Sequence, residues 1–355
     1  MDKLKKILLI LFVALFFAVC AFFAIGMLIP GASSAAEGAG EMPRLVADGR
    51  INSDFGDQFE AWFSKSFALR GKVVDAFTAF RAKVTSTGND QVIVGRDGFL
   101  FFEDTVASYT GSDPMTDGEI SAAAQSLCNM QEYAAAHGAD FLFVCAPNKA
   151  TVYSDMMPDR YVKCAGDTDF DRLFAALDRL GVNSLDLRGL LCEKAESELV
   201  YHRRDTHWNG LGAKYAFDAM MERLGVTVPD FGEAAVTHDF EGDLDSLLYP
   251  GHTEYDDDVT YDLSDKYVFT SAYTNPMNLS ISTRGAGEKK ALFFRDSFGN
   301  AIIPYAASSF AEVRLERANP YRIDLLEEYG ADCVIVIIAE RNIRDLIGSD
   351  GRIAD

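Results

Sequence analysis

The sequence is short of basic residues. It carries 33 Lys and Arg against 54 Asp and Glu, which gives a formal net charge of -21. Because contacts to phosphate groups need clusters of Lys and Arg, this composition argues against a nucleic-acid partner. The same acidity argues against docking on anionic lipid headgroups and otherwise favours solubility.

Cysteine motifs are also missing. The six cysteines form no Cys-x-x-Cys pair and no Cys/His spacing, so neither a disulfide framework nor a zinc motif is indicated, and we expect no metal and no other cofactor. Cys145 and Cys333 lie in strand-like apolar runs and are expected to be buried thiols, whereas Cys164 and Cys192 could form a disulfide. The acidic stretch 238–265 lacks the spacing and the glycine of an EF-hand, and we interpret it as a solvated loop.

A long uncharged run occupies residues 7–30. It is long enough to span a bilayer, and the three lysines in residues 1–6 predict a cytoplasmic tail before it. We therefore expect a single-pass anchor at the cell membrane with an extracytoplasmic C-terminal body. The small residues at 32–36 leave open a cleaved signal peptide, which would place the body outside the cytoplasm as well.

Three further segments follow the predicted anchor. Residues 31–50 are rich in Gly, Ala, Ser and Glu and are typical of a linker. Residues 51–90 carry aromatic side chains at broadly helical spacing, which predicts a helical segment. Residues 91–350 are expected to form the catalytic domain.

Short apolar runs alternate with helical patterns along residues 91–350. After a hairpin at 91–102, the predicted helices are 116–137, 168–180, the segment from Trp208 to Gly225 with Asn209 as its cap, 298–310 and 322–329. The predicted strands are 141–146, 183–187, 291–294, 311–315 and 333–338. This rhythm predicts an α/β fold with a mostly parallel sheet flanked by helices, and ligands bind at the carboxyl ends of such strands.

The segment Asp205-Thr206-His207 carries a pattern typical of acyl-transfer sites. Residues i and i+2 of an extended segment point the same way, so Asp205 can accept a hydrogen bond from one ring nitrogen of His207. The other ring nitrogen then stays free as a base. Ser297 ends an apolar strand just before a helix start, where backbone N–H groups face a developing negative charge. Taken alone, Ser297 has the plainer interpretation of a helix cap and His207 that of a structural histidine.

The order of three motifs resembles the DHHW family. They are Asp-Thr-His-Trp at 205–208, Asp-Ser-Phe-Gly-Asn at 296–300 and Ala-Glu-Arg-Asn-Ile at 339–343. That family belongs with the AlgJ/AlgX-like alginate O-acetylation proteins, a branch of the SGNH hydrolase-like folds, which are flavodoxin-like. The Gly-Arg-Asp-Gly hairpin at 95–98 and Pro-Asn-Lys at 147–149 resemble further family segments.

The resemblance implies roles for individual residues. Ser297 would be the nucleophile, His207 the base and Asp205 its orienter. Arg295 stands where a Gly-Asp-Ser block would carry glycine, so it either crowds the oxyanion hole or supplies a cation. Five further residues are candidates for oxyanion donors or lining side chains: Asn148, Asn209, Lys149, Tyr153 and Arg341. For the charged ones, salt bridges to nearby acids are the plainer interpretation.

The resemblance also implies a reaction. An acetyl group would pass through the serine to a hydroxyl of an exopolysaccharide or cell-wall polymer. A membrane-bound O-acyltransferase (MBOAT) partner would supply the acetyl group across the bilayer. Two alternatives stay open: an acetyl esterase with the same triad, and a non-catalytic protein that binds or assembles polysaccharide.

Overall fold

A computed structural model describes part of the 355-residue chain. The described residues are Phe17, Ala21, 42–47, 50–66, 74–77, 88–251 and 253–350. The predicted tail 1–6 and most of the predicted anchor 7–30 and linker 31–50 lie outside them. Within this described part, no helix has both the length and the apolar character needed to cross a membrane.

The chain divides into two compact units, the first of which comprises residues 1–83 and 249–253. Its described part contains the strands β1 (Val46–Ala47) and β2 (Arg50–Ile51), which pair antiparallel, and the helix α1 (Phe55–Ser66). The rings of Phe55 and Phe59 stack with centroids 5.6 Å apart. Side chains four residues apart lie on the same face of a helix, which explains this contact.

The second unit, residues 84–248 and 254–355, contains the central sheet. Its strands are β3 (Val92–Val94), β4 (Leu100–Phe102), β5 (Asp140–Ala146), β6 (Ser184–Asp186), β7 (Ala234–Phe240), β8 (Asp256–Tyr261), β9 (Tyr267–Phe269), β10 (Ser280–Gly285), β11 (Lys290–Arg295), β12 (Glu312–Glu316) and β13 (Cys333–Ala339). Seven of them form one sheet in the order β6-β5-β13-β11-β12-β10-β9. The strands from β6 to β12 in that order are parallel, and β10 and β9 add an antiparallel edge. The predicted α/β fold with a mostly parallel sheet is confirmed, and the sheet is mixed.

The described helices of this unit follow in chain order. They are α2 (Val106–Thr110), α3 (Asp117–Ala136), α4 (Lys149–Val152), α5 (Asp169–Leu180), α6 (Arg188–Ala195), α7 (Gly210–Leu224), α8 (Asp243–Leu248), α9 (Ile303–Ser309) and α10 (Leu325–Tyr329). Thr116 begins α3 with a reciprocal capping box to Glu119. Asn209 caps α7 as predicted, because its side chain accepts from the Gly212 amide at 2.9 Å.

The two faces of the sheet bury separate apolar clusters. In β13, Ile335 and Ile337 join the cluster beneath α7 and α9, whereas Val334 and Val336 join the cluster beneath α3 and α5. A strand that is buried on both faces has a continuous apolar sequence, which is why this strand was predictable. Cys145 and Cys333 are buried thiols as predicted, and Cys164 and Cys192 are both free and half-buried.

The interpretation of residues 238–265 as a solvated loop was wrong. The segment contributes the end of β7, helix α8 and strand β8, and β7 and β8 pair as an antiparallel ribbon. Asp245 is fully buried and accepts hydrogen bonds from Arg204 Nε at 2.6 Å and from the Glu254 amide at 2.9 Å. Carboxylates can be buried where such partners compensate their lost hydration, and these partners lie far apart in the sequence.

Two predicted helices are shorter than expected. The helix predicted over 298–310 is split into a 3-10 turn at Ser297–Asn300 and helix α9, with Pro304 in the first turn of α9. The helix predicted over 322–329 begins only at Leu325. The turn directly after β11 positions Ser297 at the carboxyl edge of the sheet.

Candidate active site

Ser297, His207 and Asp205 form a continuous chain of hydrogen bonds. Ser297 Oγ lies 2.8 Å from His207 Nε2, and His207 Nδ1 lies 2.7 Å from Asp205 Oδ1. The three residues predicted from the motifs are therefore brought together in the predicted order. Because the Nδ1–H of His207 donates a hydrogen bond to Asp205, Nε2 is unprotonated and is positioned to accept the hydroxyl proton of Ser297.

Asp296 fixes the turn that carries Ser297. Its Oδ1 accepts from the Phe298 amide at 2.8 Å. Its Oδ2 accepts from the Ala339 amide and from Asn342 Nδ2, both at 2.7 Å, which ties the end of β11 to the end of β13. Since Asp296 already uses the Phe298 N–H, that amide is not the free oxyanion donor expected after the serine.

The segment around His207 is fastened on both sides. The His207 amide donates to Asp205 Oδ1 at 2.8 Å, which closes a local turn. Trp208 is buried, and its Nε1 donates to the carbonyl oxygen of Phe298 at 3.1 Å. This bond joins the segment with the base directly to the turn with the serine.

Asp205 is buried and has both carboxylate oxygens occupied. Its Oδ2 accepts from the Asp243 amide at 2.8 Å. Burial acts to raise the pKa of Asp205, but the hydrogen bond and charge of the His207 ring, with the amides of Asp243 and His207, outweigh it and hold that pKa well below its usual range. Asp205 is therefore ionised at neutral pH.

Asp243 is a second carboxylate at the histidine, and the sequence did not indicate it. Its Oδ2 lies 3.7 Å from His207 Nδ1, and its carboxylate accepts from the Thr206 amide at 2.8 Å and the Thr206 hydroxyl at 2.7 Å. Burial, followed by the charge of Asp205, raises the pKa of Asp243. Only a contact across 38 residues brings it here, so no local pattern could have revealed it.

Within the described residues, Asp205, His207 and Asp243 also form a group close enough to share a metal ion. Their ligand atoms already hydrogen-bond to one another or to backbone amides and Thr206. These hydrogen bonds explain why the three side chains lie close together, and they suit a site that transfers protons.

Ser297 and His207 open into a cavity of about 520 Å³. Its walls come from α7, the β7–β8 ribbon, β9, the loop 273–277 and the start of α9. Aromatic side chains form a large part of these walls, among them Phe240, Tyr261, Tyr267, Phe269, Tyr273 and Tyr305. The antiparallel edge strand β9, which the sequence reasoning missed, therefore builds one side of the site.

Lys149 does not line this cavity, contrary to the expectation. It is 4 % exposed, and its Nζ donates to the carbonyl oxygens of His202 at 3.1 Å, Arg203 at 3.0 Å and Asp205 at 2.6 Å. Burial lowers the pKa of Lys149 to about 7. The lysine thus holds the segment that precedes His207, and it does so from the side that faces away from the cavity.

Asn148, Tyr153 and Asn209 are also placed away from the cavity lining. The Tyr153 hydroxyl accepts from the Val200 amide at 3.0 Å. Asn209 Oδ1 caps α7 and its Nδ2 donates to the Leu199 carbonyl at 2.6 Å, so both ends of the side chain are already bonded. Asn148 is buried, and its Oδ1 has no hydrogen-bond partner among the described residues.

Arg295 neither crowds the serine nor points a cation at it. It is buried, and its guanidinium donates to the carbonyl oxygens of Pro276 at 2.9 Å and Asn278 at 3.2 Å and to the Asn300 side chain. Burial, with the charge of Arg317, lowers the pKa of Arg295 to about 10. The arginine therefore holds the loop that forms one wall of the cavity.

Arg341 lies beside the site, at the carboxyl end of β13. Its guanidinium carbon is 5.2 Å from the centre of the Phe298 ring and 5.7 Å from that of Phe102. Such a cation over aromatic rings is a stabilising contact. No salt bridge joins it to an acid in the described part of the chain, so the plainer interpretation is wrong for this residue.

Comparison with known proteins finds a family model that matches part of the domain. Residues 92–265 match the family model described as an SGNH hydrolase-like domain, acetyltransferase AlgX. The match includes Asp205 and His207 and ends before Ser297.

The curated relatives that match this chain share less than a quarter of its residues over the aligned part. The probable alginate O-acetylase AlgJ of Pseudomonas aeruginosa is 24% identical over 200 residues, which cover 56% of this chain and 46% of the relative. The Pseudomonas putida protein of the same name is 22% identical over 205 residues, covering 56% of this chain and 52% of the relative. The chain thus spans about half the length of these relatives.

Solved structures support the fold. A DHHW family protein from Eubacterium siraeum is 17% identical with a TM-score of 0.55, covering 77% of this chain and 99% of its own. Bacillus cereus PatB1 is 16% identical with a TM-score of 0.55, covering 72% and 97%. The resemblance predicted from the motifs is confirmed: the chain is similar to the AlgJ/AlgX-like and DHHW family proteins, and its fold is SGNH hydrolase-like.

Proposed function

We propose that this chain is an extracytoplasmic O-acetyltransferase that acetylates hydroxyl groups of a glycan through Ser297. The observation that carries the proposal is the hydrogen-bonded chain from Ser297 through His207 to Asp205, at 2.8 and 2.7 Å, opening into a cavity. A nucleophile, its base and the orienter of that base are the three side chains that acyl transfer through a Ser-His-Asp triad uses.

The first half of the reaction forms an acetyl-enzyme. Ser297 Oγ attacks the acetyl carbonyl carbon while His207 Nε2 takes the hydroxyl proton. The tetrahedral intermediate then expels the donor's leaving group, which receives that proton from His207. Asp205 stabilises the imidazolium that exists between these steps, because its carboxylate stays ionised and bonded to Nδ1.

The second half transfers the acetyl group. A glycan hydroxyl attacks the acetyl carbon of the ester on Ser297 and gives its proton to His207 Nε2. The ester bond to Ser297 Oγ then breaks, and His207 returns the proton to that oxygen. The products are an O-acetylated glycan and the free enzyme.

The names of the relatives support an acetyl group and a polysaccharide acceptor. The family model is described as an acetyltransferase, and the curated relatives are named probable alginate O-acetylases. The chain matches only about half of the length of those relatives. We therefore extend their type of reaction to this chain, but not their acceptor, alginate.

The N-terminal sequence supports a position at the membrane. The uncharged run 7–30 behind three lysines favours a single-pass anchor with the catalytic body outside the cytoplasm. An anchored transferase fits a supply of acetyl groups through the bilayer, so an MBOAT protein is the proposed donor partner.

The test separates transfer from hydrolysis. The whole chain in detergent is incubated with a chromogenic acetyl ester and neutral oligosaccharides, and acetylated oligosaccharide and free acetate are both measured. The proposal predicts acetylated oligosaccharide, lost in Ser297→Ala and retained in Ser197→Ala, a control at an exposed serine that does not line the cavity.

The other outcomes point to the alternatives. Serine-dependent release of acetate without any acetylated oligosaccharide would identify an esterase. No serine-dependent turnover, even with a membrane O-acyltransferase and its acetyl donor reconstituted beside the chain, would favour a binding or assembly role.

A further inference from the structure

The cavity beside Ser297 is much larger than an acetyl group requires. Its volume of about 520 Å³ lies in the range of pockets that enclose whole small molecules. Aromatic rings such as Phe269 and Tyr273, which stack with centroids 3.8 Å apart, offer flat apolar surfaces to the C–H faces of a sugar ring. The cavity therefore has room for the acceptor as well as for the acyl group.

The charge of the cavity is negative. Asp205 and Asp258 are among the residues that line it, whereas no Lys or Arg of the described chain does. The buried His202 lines it as well, and burial lowers the pKa of that ring, so it is neutral at pH 7. An acceptor that carries carboxylates would meet charge of its own sign here.

Asp258 has an unused acceptor atom at this wall. Its Oδ1 accepts from the Gly210 and Val259 amides, both at 2.8 Å, and lies 3.8 Å from His202 Nε2. Its Oδ2 makes no hydrogen bond to any described residue, although the side chain is only 20% exposed. A carboxylate oxygen in this setting accepts hydrogen bonds from hydroxyl or ammonium groups.

The arginines near Ser297 do not reverse this charge preference. The guanidinium of Arg295 is turned toward the carbonyl oxygens of Pro276 and Asn278 behind the wall. Arg341 stacks on Phe298 and lies outside the residues that line the cavity. A uronate carboxylate inside the cavity would find no described guanidinium fork to pair with.

From these observations we propose that the cavity binds an acceptor glycan built of neutral or amino sugars, that Asp258 Oδ2 receives one of its hydroxyl or ammonium groups, and that uronate polymers are rejected. This inference rests on the proposed function, because only a transferase has an acceptor. The preference for one glycan over another can nevertheless be measured by binding alone, without turnover. This preference would separate the chain from relatives that are named for alginate, a uronate polymer.

The test measures binding in a chain that cannot react. Ser297→Ala is titrated by calorimetry, as the whole chain in detergent, with partially N-deacetylated chitohexaose and with hexamannuronate at the same low salt. We expect the amino-sugar oligomer to bind at least tenfold more tightly than the uronate. Adding Asp258→Asn, which keeps the Oδ1 acceptor and removes the charge, should reduce that ratio to threefold or less.

Asp239→Asn is the matched control, because Asp239 is exposed on the same β7–β8 ribbon and does not line the cavity. It should leave the ratio unchanged. Equal or tighter binding of hexamannuronate would overturn the proposal, and so would a ratio that Asp258→Asn leaves intact or that Asp239→Asn lowers equally. Because these titrations need no acetyl group, they fail independently of the acetyl-transfer assay, which alone decides the proposed function.

Discussion

Lys149 Nζ donates a hydrogen bond to the main-chain carbonyl oxygen of Asp205 at 2.6 Å. The lysine is buried on the side of the segment away from the cavity, and it also bonds the carbonyl oxygens of His202 and Arg203. Three carbonyl groups just before His207 thus converge on one side chain. The proposed base owes its position to a buried amine that touches no substrate.

Lys149→Met should therefore damage both stability and turnover. The substitution keeps much of the side-chain volume but leaves three carbonyl groups without their donor, and we expect a loss of about 3 kcal/mol of unfolding free energy. Turnover of a chromogenic acetyl ester should fall at least tenfold. Lys163→Met, at an exposed lysine, is the control and should change neither quantity.

The same lysine predicts a pH dependence of stability. Its folded pKa of about 7 lies below the ordinary lysine value, so between these two values the unfolded chain binds more protons than the folded one. The contribution of Lys149 to the unfolding free energy should then rise with pH from 7 to about 10, by at most about 1.4 kcal/mol per pH unit. Urea unfolding of the wild type and Lys149→Met at several pH values measures this difference. A difference that is flat or falls with pH would contradict the account.

The two carboxylates at His207 should differ greatly in their effect on catalysis. Asp205 bonds Nδ1 at 2.7 Å, whereas Asp243 lies 3.7 Å from that atom and bonds Thr206. Asp205→Asn should lower the acylation rate by about 10³- to 10⁴-fold, because an amide in this position favours the wrong ring tautomer. Asp243→Asn should cost less than about tenfold, because its backbone amide still holds Asp205.

The pair also serves as its own control, since both substitutions replace a carboxyl group near the ring with an amide. Stopped-flow measurement of the acylation burst compares them directly. Similar losses in the two variants would mean that either carboxyl group serves the ring equally and that Asp205 is not the specific orienter.

Gly299 is expected to tolerate no side chain. A Cβ at this position would come within 2.7 Å of Arg295 Cβ and 2.9 Å of Arg295 Cδ. Gly299→Ala should therefore destabilise the fold by about 1–3 kcal/mol and disturb the turn that carries Ser297. Gly189→Ala, in helix α6 with open space around its Cβ, should be neutral or stabilise by up to about 1 kcal/mol. Thermal unfolding of both variants tests the contrast.

The sequence predicted the parts of the fold that local patterns encode. Strand β13 is buried on both faces and is therefore apolar throughout, and α7 has an asparagine cap and ends at Gly225. The pair Asp205 and His207 was visible because two residues of spacing bring an acid and a ring together. Ser297 was visible because it follows an apolar strand directly.

The sequence did not predict contacts that close only in three dimensions. The acids of 238–265 looked solvated because Arg204, which neutralises the buried Asp245, is 41 residues away. Lys149 and Asp243 act on the segment of His207 from distances of 56 and 38 residues, and nothing in their neighbouring residues marks this. The edge strand β9, which is three residues long, was also missed.

Acetylation of Ser297 is the step on which the proposed function depends. The most direct measurement incubates the whole chain with a chromogenic acetyl ester, quenches it in acid within the burst and analyses its peptides by mass spectrometry. The account predicts an acetyl group on the peptide that contains Ser297 in the wild type, and none there in Ser297→Ala or His207→Ala. An acetyl group on another residue, or equal labelling of Ser297 in wild type and His207→Ala, would contradict it.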